Sequence, residues 1–340
     1  MKNPYLDPMY RVSPAAKHVT LDMQKVVEWA QLMALENFEI PAFDREVPDK
    51  LWMEFVFWTS TINFAFTDFK TGKPYELEYP GGVINKGSSA MSAAFKRAIS
   101  GDYGKVPVFD ARFWKDVSWM KFTQIFAGSS PMPMMDKRIT ALRENGKVLL
   151  QKYDGKVENL FKKSNFCCFN GERHSGLIEL LTNEFYFFDS NLYKLPENSE
   201  GTVISFNKRA QLLAMLYQGR SLTSTEGRLV PLKDHEYLSL PADYRTPQAL
   251  RALGMIRYSP ELSEKIEQGA LLPAGSHEEM ELRFQSIIAA EELKTEINAI
   301  RLGAELKEIT IIELDYFLWS YGRKLGSQGQ KHHLTETTAY

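Results

Sequence analysis

The chain lacks the features that mark several common protein classes. Its 340 residues contain only two cysteines, adjacent at Cys167 and Cys168. Two neighbouring cysteines exclude a disulfide framework, which fits a reducing cytoplasm. Among the six histidines only the adjacent pair His332 and His333 lies close together, so no metal-ligand spacing is present. The sequence therefore predicts a cytoplasmic protein that works without a metal or another cofactor.

An excess of charge of one sign and a long apolar run are also missing. The 41 basic and 43 acidic residues give a formal net charge of −2, so no global field attracts the chain to a polynucleotide or an anionic membrane. The N-terminal residues contain no apolar signal core. The apolar run 55–66 is short and contains polar residues, so it cannot span a bilayer. We expect neither a stable nucleic acid complex nor membrane insertion.

Internal repeats, a Gly-rich phosphate loop, a nucleophile elbow and a kinase signature are absent. No linker rich in Gly, Pro and Ser appears before Gly326. We therefore expect one compact domain over residues 1–340, present as a monomer. From Gly326 to His333 the composition is typical of a disordered tail.

Helical periodicity dominates what is present. Helices are predicted at 88–99, 111–126, 133–144, 148–153, 175–185 and 204–217, and after Thr20, Thr246, Ser259, Ser276 and Thr310 as capping residues. The segment 61–67 alternates like a strand and is expected to form an antiparallel hairpin with 73–79. The predicted fold class is α+β, predominantly helical, with this small hairpin.

The predicted strand carries Asn63 on one face and Phe64 and Phe66 on the other. A pair of core-facing phenylalanines is the more common meaning of such a pattern, and a base-stacking surface is the alternative.

Asp315 lies in the segment 311–319, which as a helix is apolar on almost all sides and is expected to be buried. A buried carboxylate needs a partner, a proton or a ligand. Trp319 follows one turn later on the same face, where its ring can stack on a nucleobase whose edge the acid binds. A buried ion pair of Asp315 with Arg283 explains the pattern equally well, so both interpretations stay open.

Lys208 and Asp243 also have two interpretations each. The helix predicted from Ile204 places Lys208 beside the apolar stripe, as a snorkelling lysine or as a cation held in a pocket, while Arg209 is expected to be solvated. Asp243 precedes Pro247 in a loop that turns into a helix. An aspartate there commonly bonds backbone amides, but it can also serve as a nucleophile, a general base or an electrostatic stabiliser.

Several ordered segments carry a family resemblance. They are Phe55-Val56-Phe57, Asn63-Phe64 with Phe66, Ala93-Ala94 with Arg97-Ala98, Gly146-Lys147, Ser205-Phe206-Asn207-Lys208-Arg209-Ala210-Gln211, Ala242-Asp243-Tyr244-Arg245-Thr246-Pro247-Gln248, Tyr258-Ser259, Glu279-Met280-Glu281-Leu282-Arg283 and Leu314-Asp315-Tyr316-Phe317-Leu318-Trp319. Over nearly the whole chain this set resembles the queuosine salvage family, the queuosine 5′-monophosphate N-glycosidases. The C-terminus at Tyr340 is similar to the family's end, which argues against disorder in the last residues.

The resemblance implies a fold similar to helix-rich DNA glycosylases. It also implies hydrolysis of the N-glycosidic bond of queuosine 5′-monophosphate, a small nucleotide, which releases queuine for reinsertion into transfer RNA. The family's catalytic Lys and Asp fall on Lys208 and Asp243. Asp243 would stabilise the charge at the anomeric carbon, and Lys208 would hold Asp243 ionised or bind substrate oxygens. The substrate-binding residues expected beside them are Asp315, Trp319, Tyr244, Arg245, Asn63, Phe64, Phe66 and Arg97, the two arginines as candidate phosphate ligands.

Three departures from the family bear on base specificity. Pro241 stands where relatives commonly have an aromatic residue, and Ser60 and Ser320 stand where relatives can carry an acid. A non-enzymatic binder or carrier of a modified base or nucleotide is the main alternative function. A DNA-repair glycosylase is a third, weakened by the net charge of −2.

Overall fold

The computed structural model describes residues 3–40, 44–101, 104–170, 173–187, 189–194 and 201–340. Within these residues the secondary structure is mainly α-helical, and the strands form short antiparallel pairs. The predicted class, a helix-rich α+β fold, is confirmed.

The helices are α1 (Leu6–Val12), α2 (Met23–Met33), α3 (Asp49–Thr61), α4 (Ser88–Ser100), α5 (Ala111–Lys115), α6 (Trp119–Ile125), α7 (Met135–Tyr153), α8 (Val157–Lys163), α9 (Leu177–Glu184), α10 (Lys208–Thr223), α11 (Arg245–Ala252), α12 (Pro260–Gln268), α13 (His277–Gly303) and α14 (Ile311–Ser327). The strands are β1 (Val19–Leu21), β2 (Glu76–Glu78), β3 (Ile84–Lys86), β4 (Ser190–Tyr193), β5 (Thr202–Ser205) and β6 (Ile256–Tyr258). The pairs are β1 with β6, β2 with β3 and β4 with β5.

The chain divides into two compact units. The first combines the described residues of Met1–Ala42, Asp189–Gln211 and Asp234–Glu336. The second combines those of Phe43–Phe188, Leu212–Lys233 and Thr337–Tyr340. The single domain expected from the sequence stays a prediction.

In the first unit, α13 is the central element. Every residue from Glu279 to Glu291 is buried, so its polar side chains need partners inside the protein. The carboxylate of Glu281 accepts hydrogen bonds from the backbone amides of His18 (2.6 Å) and Val19 (3.0 Å) and from the hydroxyl of Tyr193 (2.7 Å). This side chain therefore ties α13 to β1 and β4.

In the second unit, α3 lies in an aromatic core. The ring of Phe57 contacts the ring of Phe185 edge-on, with centroids 5.3 Å apart, and Trp58 lies 5.9 Å from Trp114. Gly146 explains how α7 packs against α5, because a Cβ there would come within 2.9 Å of backbone atoms of α5. A glycine inside this helix thus permits close approach of two backbones.

Most predicted helix starts are confirmed. The side chains of Ser259, Ser276 and Thr310 accept hydrogen bonds from amides of α12, α13 and α14, as their patterns indicate. The start predicted at Thr20 is wrong. Thr20 lies in β1, and Asp22 caps α2 by accepting a hydrogen bond from the amide of Lys25 (3.1 Å).

Three helical segments are divided differently from the prediction. Residues 111–126 form two helices, because Ser118 caps a new one. The helices predicted at 133–144 and 148–153 are instead joined in one continuous helix, α7. The segment predicted as a helix from Ile204 begins as β5, and α10 starts only at Lys208. Lys208 is therefore the first residue of a helix, and the helical turn predicted between Ile204 and Lys208 is wrong.

The predicted strand 61–67 is also wrong. Thr61 ends α3, and only Thr67 forms a bridge, to Pro74. The turn 68–72 is present, since the amide of Gly72 donates to the carbonyl of Asp68 (2.8 Å). The regular hairpin lies later, between β2 and β3.

The tail predicted to be disordered is packed. Helix α14 extends to Ser327, His333 is 2% exposed, and the amide of Leu272 donates to the carbonyl of Leu334 (2.8 Å). The composition of this tail did not predict its packing, because the residues that anchor the tail lie far away in the sequence. Among the described residues, no helix has the length and apolarity needed to cross a membrane.

Gly322 is predicted to be essential for the packing of α11 against α14. A Cβ at Gly322 would lie 2.6 Å from the backbone oxygen of Arg245, so Gly322→Ala must push the helices apart. We expect a loss of about 1–3 kcal/mol in the free energy of unfolding, measured by urea denaturation. Gly303→Ala is the matched control, because a Cβ at this helical glycine meets nothing within 4 Å. Equal stability of the two variants would contradict the prediction.

Candidate active site

Lys208, Asp243 and Asp315 form a cluster of titratable side chains in the first unit, although they are far apart in the sequence. The side chain of Lys208 is 4% exposed. Burial lowers the pKa of Lys208 to about 8, against the opposing effect of the negative charge of Asp243 and, more weakly, of Asp315. The three residues therefore act on one another electrostatically, as members of one site do.

The chain reaches Lys208 through an unusual turn. Strand β5 ends at Ser205, and Asn207 adopts a left-handed conformation with φ of 51°. Asparagine tolerates this region better than most residues. The turn brings Lys208 to the first position of α10, where it is buried. Arg209, expected in solvent, is only 1% exposed, so that prediction is wrong.

Asp243 is half-buried at the start of α11. Its Oδ1 atom accepts hydrogen bonds from the backbone amides of Arg245 (2.6 Å) and Thr246 (3.4 Å). The structural interpretation of this aspartate is therefore correct, and it is compatible with the functional one. The amide bonds fix the orientation of a carboxylate that also faces the charge of Lys208.

The loop before Asp243 is tied to α10. The side-chain amide of Gln211 donates to the hydroxyl of Ser239 (2.7 Å) and accepts a hydrogen bond from the backbone amide of Ser239 (3.1 Å). Both residues are buried. The segments that carry Lys208 and Asp243 are thus connected by more than electrostatics.

Asp315 lies on α14 and retains some accessible surface. Burial, reinforced by the negative charge of Asp243 and opposed by Lys208, raises the pKa of Asp315 to about 8. At neutral pH this carboxyl therefore holds a proton and can donate a hydrogen bond. Helix α14 is not buried on all sides as predicted, because Tyr316 is 37% exposed.

The alternative partner proposed for Asp315 is engaged elsewhere. Both terminal nitrogens of Arg283 donate to the carboxylate of Asp189, at 3.0 and 2.5 Å. Trp319 is half-buried one turn beyond Asp315, and the guanidinium of Arg323 lies over its ring at 4.8 Å. Trp319 thus shares the helical face of Asp315.

The C-terminal tail contributes a residue that sequence reasoning missed. The imidazole of His332 stacks on the ring of Tyr244, with centroids 4.3 Å apart. Its Nδ1 lies 2.7 Å from the carbonyl oxygen of His333. Burial, with the charge of Arg245, lowers the pKa of His332 to about 4. A neutral imidazole therefore covers the ring next to Asp243.

Arg245 is half-buried beside the same loop. Its guanidinium donates to the side chain of Gln248 (3.1 Å) and lies over the ring of Tyr244 at 5.3 Å. A Cβ at Gly326 would collide with this guanidinium. Glycine at that position therefore leaves room for Arg245, whose role toward a phosphate stays a prediction.

The remaining predicted binding residues belong to the second unit. Phe64 and Phe66 are 0% and 5% exposed, and the guanidinium of Arg138 lies over both rings at 4.4 and 5.0 Å. Asn63, which precedes them in the chain, is half-buried. Arg97 donates to the backbone carbonyls of Ile125 (2.9 Å) and Ala127 (2.8 Å). These contacts give the phenylalanines and Arg97 structural roles, and their contacts with substrate stay predictions.

Comparison with known proteins identifies relatives of this chain. A family model described as "Queuosine salvage protein" matches residues 44–340. The chain is 30% identical to a "Queuosine 5'-phosphate N-glycosylase/hydrolase" of Sphaerobacter thermophilus, over 97% of this chain and 95% of the relative. It is 32% identical to a protein of the same name from Mus musculus, over 81% and 78% of the two chains.

Asp315→Asn is predicted to stabilise the protein in a pH-dependent way. The folded-state pKa of Asp315 is about 8, above its usual 3.8. Between these values the folded chain holds a proton that the unfolded chain releases, so this group's contribution to stability falls as the pH rises. The rise in Tm caused by the substitution should therefore be larger at about pH 8 than at about pH 5, measured by calorimetry without ligand.

The control is Asp116→Asn, since the side chain of Asp116 is 73% exposed. It should change Tm equally at both pH values. An Asp315→Asn variant that behaves like this control would contradict the protonated state assigned to Asp315.

Proposed function

The chain belongs to the queuosine salvage protein family, and from this premise we propose that it hydrolyses the N-glycosidic bond of queuosine 5′-phosphate. The observation that carries the proposal is the cluster of Lys208, Asp243 and Asp315. In the reaction, the oxygen of water bonds to the anomeric carbon as the carbon–nitrogen bond breaks. The base nitrogen gains a proton, and the products are queuine and ribose 5-phosphate.

Catalysis of this reaction must act mainly on the sugar side of the glycosidic bond. Queuine is a 7-deazapurine with carbon where a purine has N7, so the base cannot be activated by protonation there. Positive charge therefore develops at the anomeric carbon early in bond breaking. A carboxylate placed beside that carbon stabilises the charge and orients or deprotonates the water. In this proposal Asp243 is that carboxylate, held in place by two backbone amides.

Lys208 supplies the opposite charge beside Asp243. A pKa of about 8 keeps its ammonium group largely protonated at neutral pH. Since the side chain is buried, its field is weakly screened by water. It can either stabilise the negative charge of Asp243 or bind an oxygen of the substrate.

The other predicted residues would bind the nucleotide. Protonated Asp315 can donate a hydrogen bond to an acceptor on the base, and Trp319 on the same face can stack on its ring. Tyr244 and Arg245 flank Asp243, and Arg245 is the candidate phosphate ligand on that side. Asn63, Phe64, Phe66 and Arg97 stay predicted substrate-binding residues.

Base specificity depends on positions where this chain departs from its relatives. Ser60 is fully buried in α3, and Ser320 is half-buried on α14 next to Trp319. Neither serine can supply a carboxylate that would bind the amine of queuine. Specificity for queuine is therefore proposed to rest on Asp315.

A non-enzymatic carrier of a modified base or nucleotide is the second candidate. It would need Asp315 and Trp319 but would tolerate loss of Lys208. The lowered pKa of the buried Lys208 favours the enzyme, because such perturbed groups are typical of catalytic sites. We also propose that the protein is cytoplasmic and that it is a monomer. Light scattering of the purified chain would test the monomeric state.

Asp243→Asn is predicted to abolish turnover while preserving the fold. The amide oxygen can still accept from the amides of Arg245 and Thr246, but it carries no charge. Release of queuine from queuosine 5′-phosphate, followed by chromatography, should slow by at least about 100-fold. Asp116→Asn, at an exposed site, is the control and should leave the rate unchanged. Wild-type turnover in the Asp243→Asn variant would refute its catalytic role.

The rate of release is predicted to fall above about pH 8, as Lys208 loses its proton. Asp315 titrates in the same range, so the two residues must be separated. Turnover that remains in Asp315→Asn should still decline with rising pH, because Lys208 is intact. A profile in this variant that is flat to about pH 10 would assign the decline to Asp315 instead.

A further inference from the structure

Asp189 and Arg283 form a buried ion pair in the first unit that the mechanism above does not use. The side chains of Arg283 and Asp189 are 0% and 1% exposed. The guanidinium binds the carboxylate through two parallel hydrogen bonds of 3.0 and 2.5 Å. Such a fork fixes distance and angle together.

Asp189 holds the turn that presents Lys208. Its carbonyl oxygen accepts hydrogen bonds from the amides of Phe206 (2.8 Å) and Asn207 (3.1 Å). Its Oδ2 accepts from the amide of Lys208 at 3.4 Å. The left-handed residue Asn207 lies in the middle of these contacts. Asp189 therefore constrains the backbone on both sides of the strained position.

Arg283 reaches the loop that presents Asp243. Its Nε donates to the carbonyl oxygen of Ala242 at 3.4 Å, and its guanidinium lies 3.9 Å from the ring centroid of Phe206. One side chain thus contacts the residue before Asp243 and the turn before Lys208. It projects from α13, the buried central helix of this unit.

We propose that Asp189 and Arg283 are positioning residues that set the placement of Lys208 relative to Asp243. This inference rests on the proposed function, since it assigns these residues to that reaction. A buried ion pair is weak evidence for stability alone, whereas contacts with both catalytic segments match the need to hold reacting groups in register.

The test is Asp189→Asn, with kcat and KM measured for queuosine 5′-phosphate. We expect kcat to fall roughly 10- to 100-fold, because displacement of the catalytic groups slows the reaction, while KM changes little. The decline of the rate at high pH should also move to lower pH. Arg283 lowers the pKa of Lys208, and removal of the negative charge of Asp189 leaves less charge to offset that of Arg283. Glu279 still lies 3.5 Å from the same guanidinium in this variant, and Asp243, Asp315 and Arg209, the other charges acting on Lys208, stay in the chain.

A matched control exists in the second unit. Asp49 and Arg220 form a second buried ion pair, 1% and 9% exposed, joined at 2.8 Å. Arg220 also bonds a backbone carbonyl and lies over an aromatic ring, that of Trp52. Asp49→Asn should therefore lower Tm as Asp189→Asn does, but leave kcat and the pH profile unchanged.

Arg283→Lys is the second variant. It keeps the charge, loses the planar fork, and should lower kcat without moving the pH profile much. If Asp189→Asn does not fold, this variant carries the test. Variants that lose only Tm, with wild-type kcat and pH profile, would overturn the positioning role. Failure of the wild type to release queuine would instead refute the proposed function itself, and the positioning role with it.

Discussion

A buried ammonium group is the constraint on which the first unit depends. Lys208 is nearly inaccessible, so its charge persists only because acids lie close enough to offset the lost hydration. Asp243 supplies the largest part of this compensation, while Arg209 and Arg283 oppose it. Asp315 is protonated at neutral pH, and the charge of Arg283 is offset by Asp189 and by Glu279. The negative charge of Asp243 is therefore the main influence that opposes the desolvation of Lys208.

The local features of the fold could be predicted from the sequence, whereas the tertiary ones could not. Caps such as Ser276 and Thr310 act on amides within one turn, so the pattern that predicts them also contains their partners. The segment 61–67 shows the opposite case. Its alternation resembles a strand, but the carbonyls of Ile62, Phe64 and Ala65 accept hydrogen bonds from Arg138. A partner more than 70 residues away leaves no trace in local periodicity.

The residues of the candidate site also divide into those that could be predicted from the sequence and those that could not. Asp243, Lys208 and Asp315 were predicted, largely because of a family resemblance, and the structure brings them into one cluster. Asp189 was missed because no local pattern marks an acid whose partner, Arg283, lies 94 residues further on. His332 was missed because the tail around it is rich in glycine and polar residues. Its contact with Tyr244 depends on where α14 ends.

Burial separates the roles of two carboxyl groups with the same intrinsic chemistry. Asp315 lies on a helix, in surroundings that raise its pKa and keep it neutral, so it suits hydrogen-bond donation to a base. Asp243 instead receives two amide hydrogen bonds at the start of α11, an environment suited to a negative charge. The charge of Asp243 also contributes to the raised pKa of Asp315. Because Asp243 influences the protonation of Asp315, a substitution of Asp243 changes the chemistry of both residues.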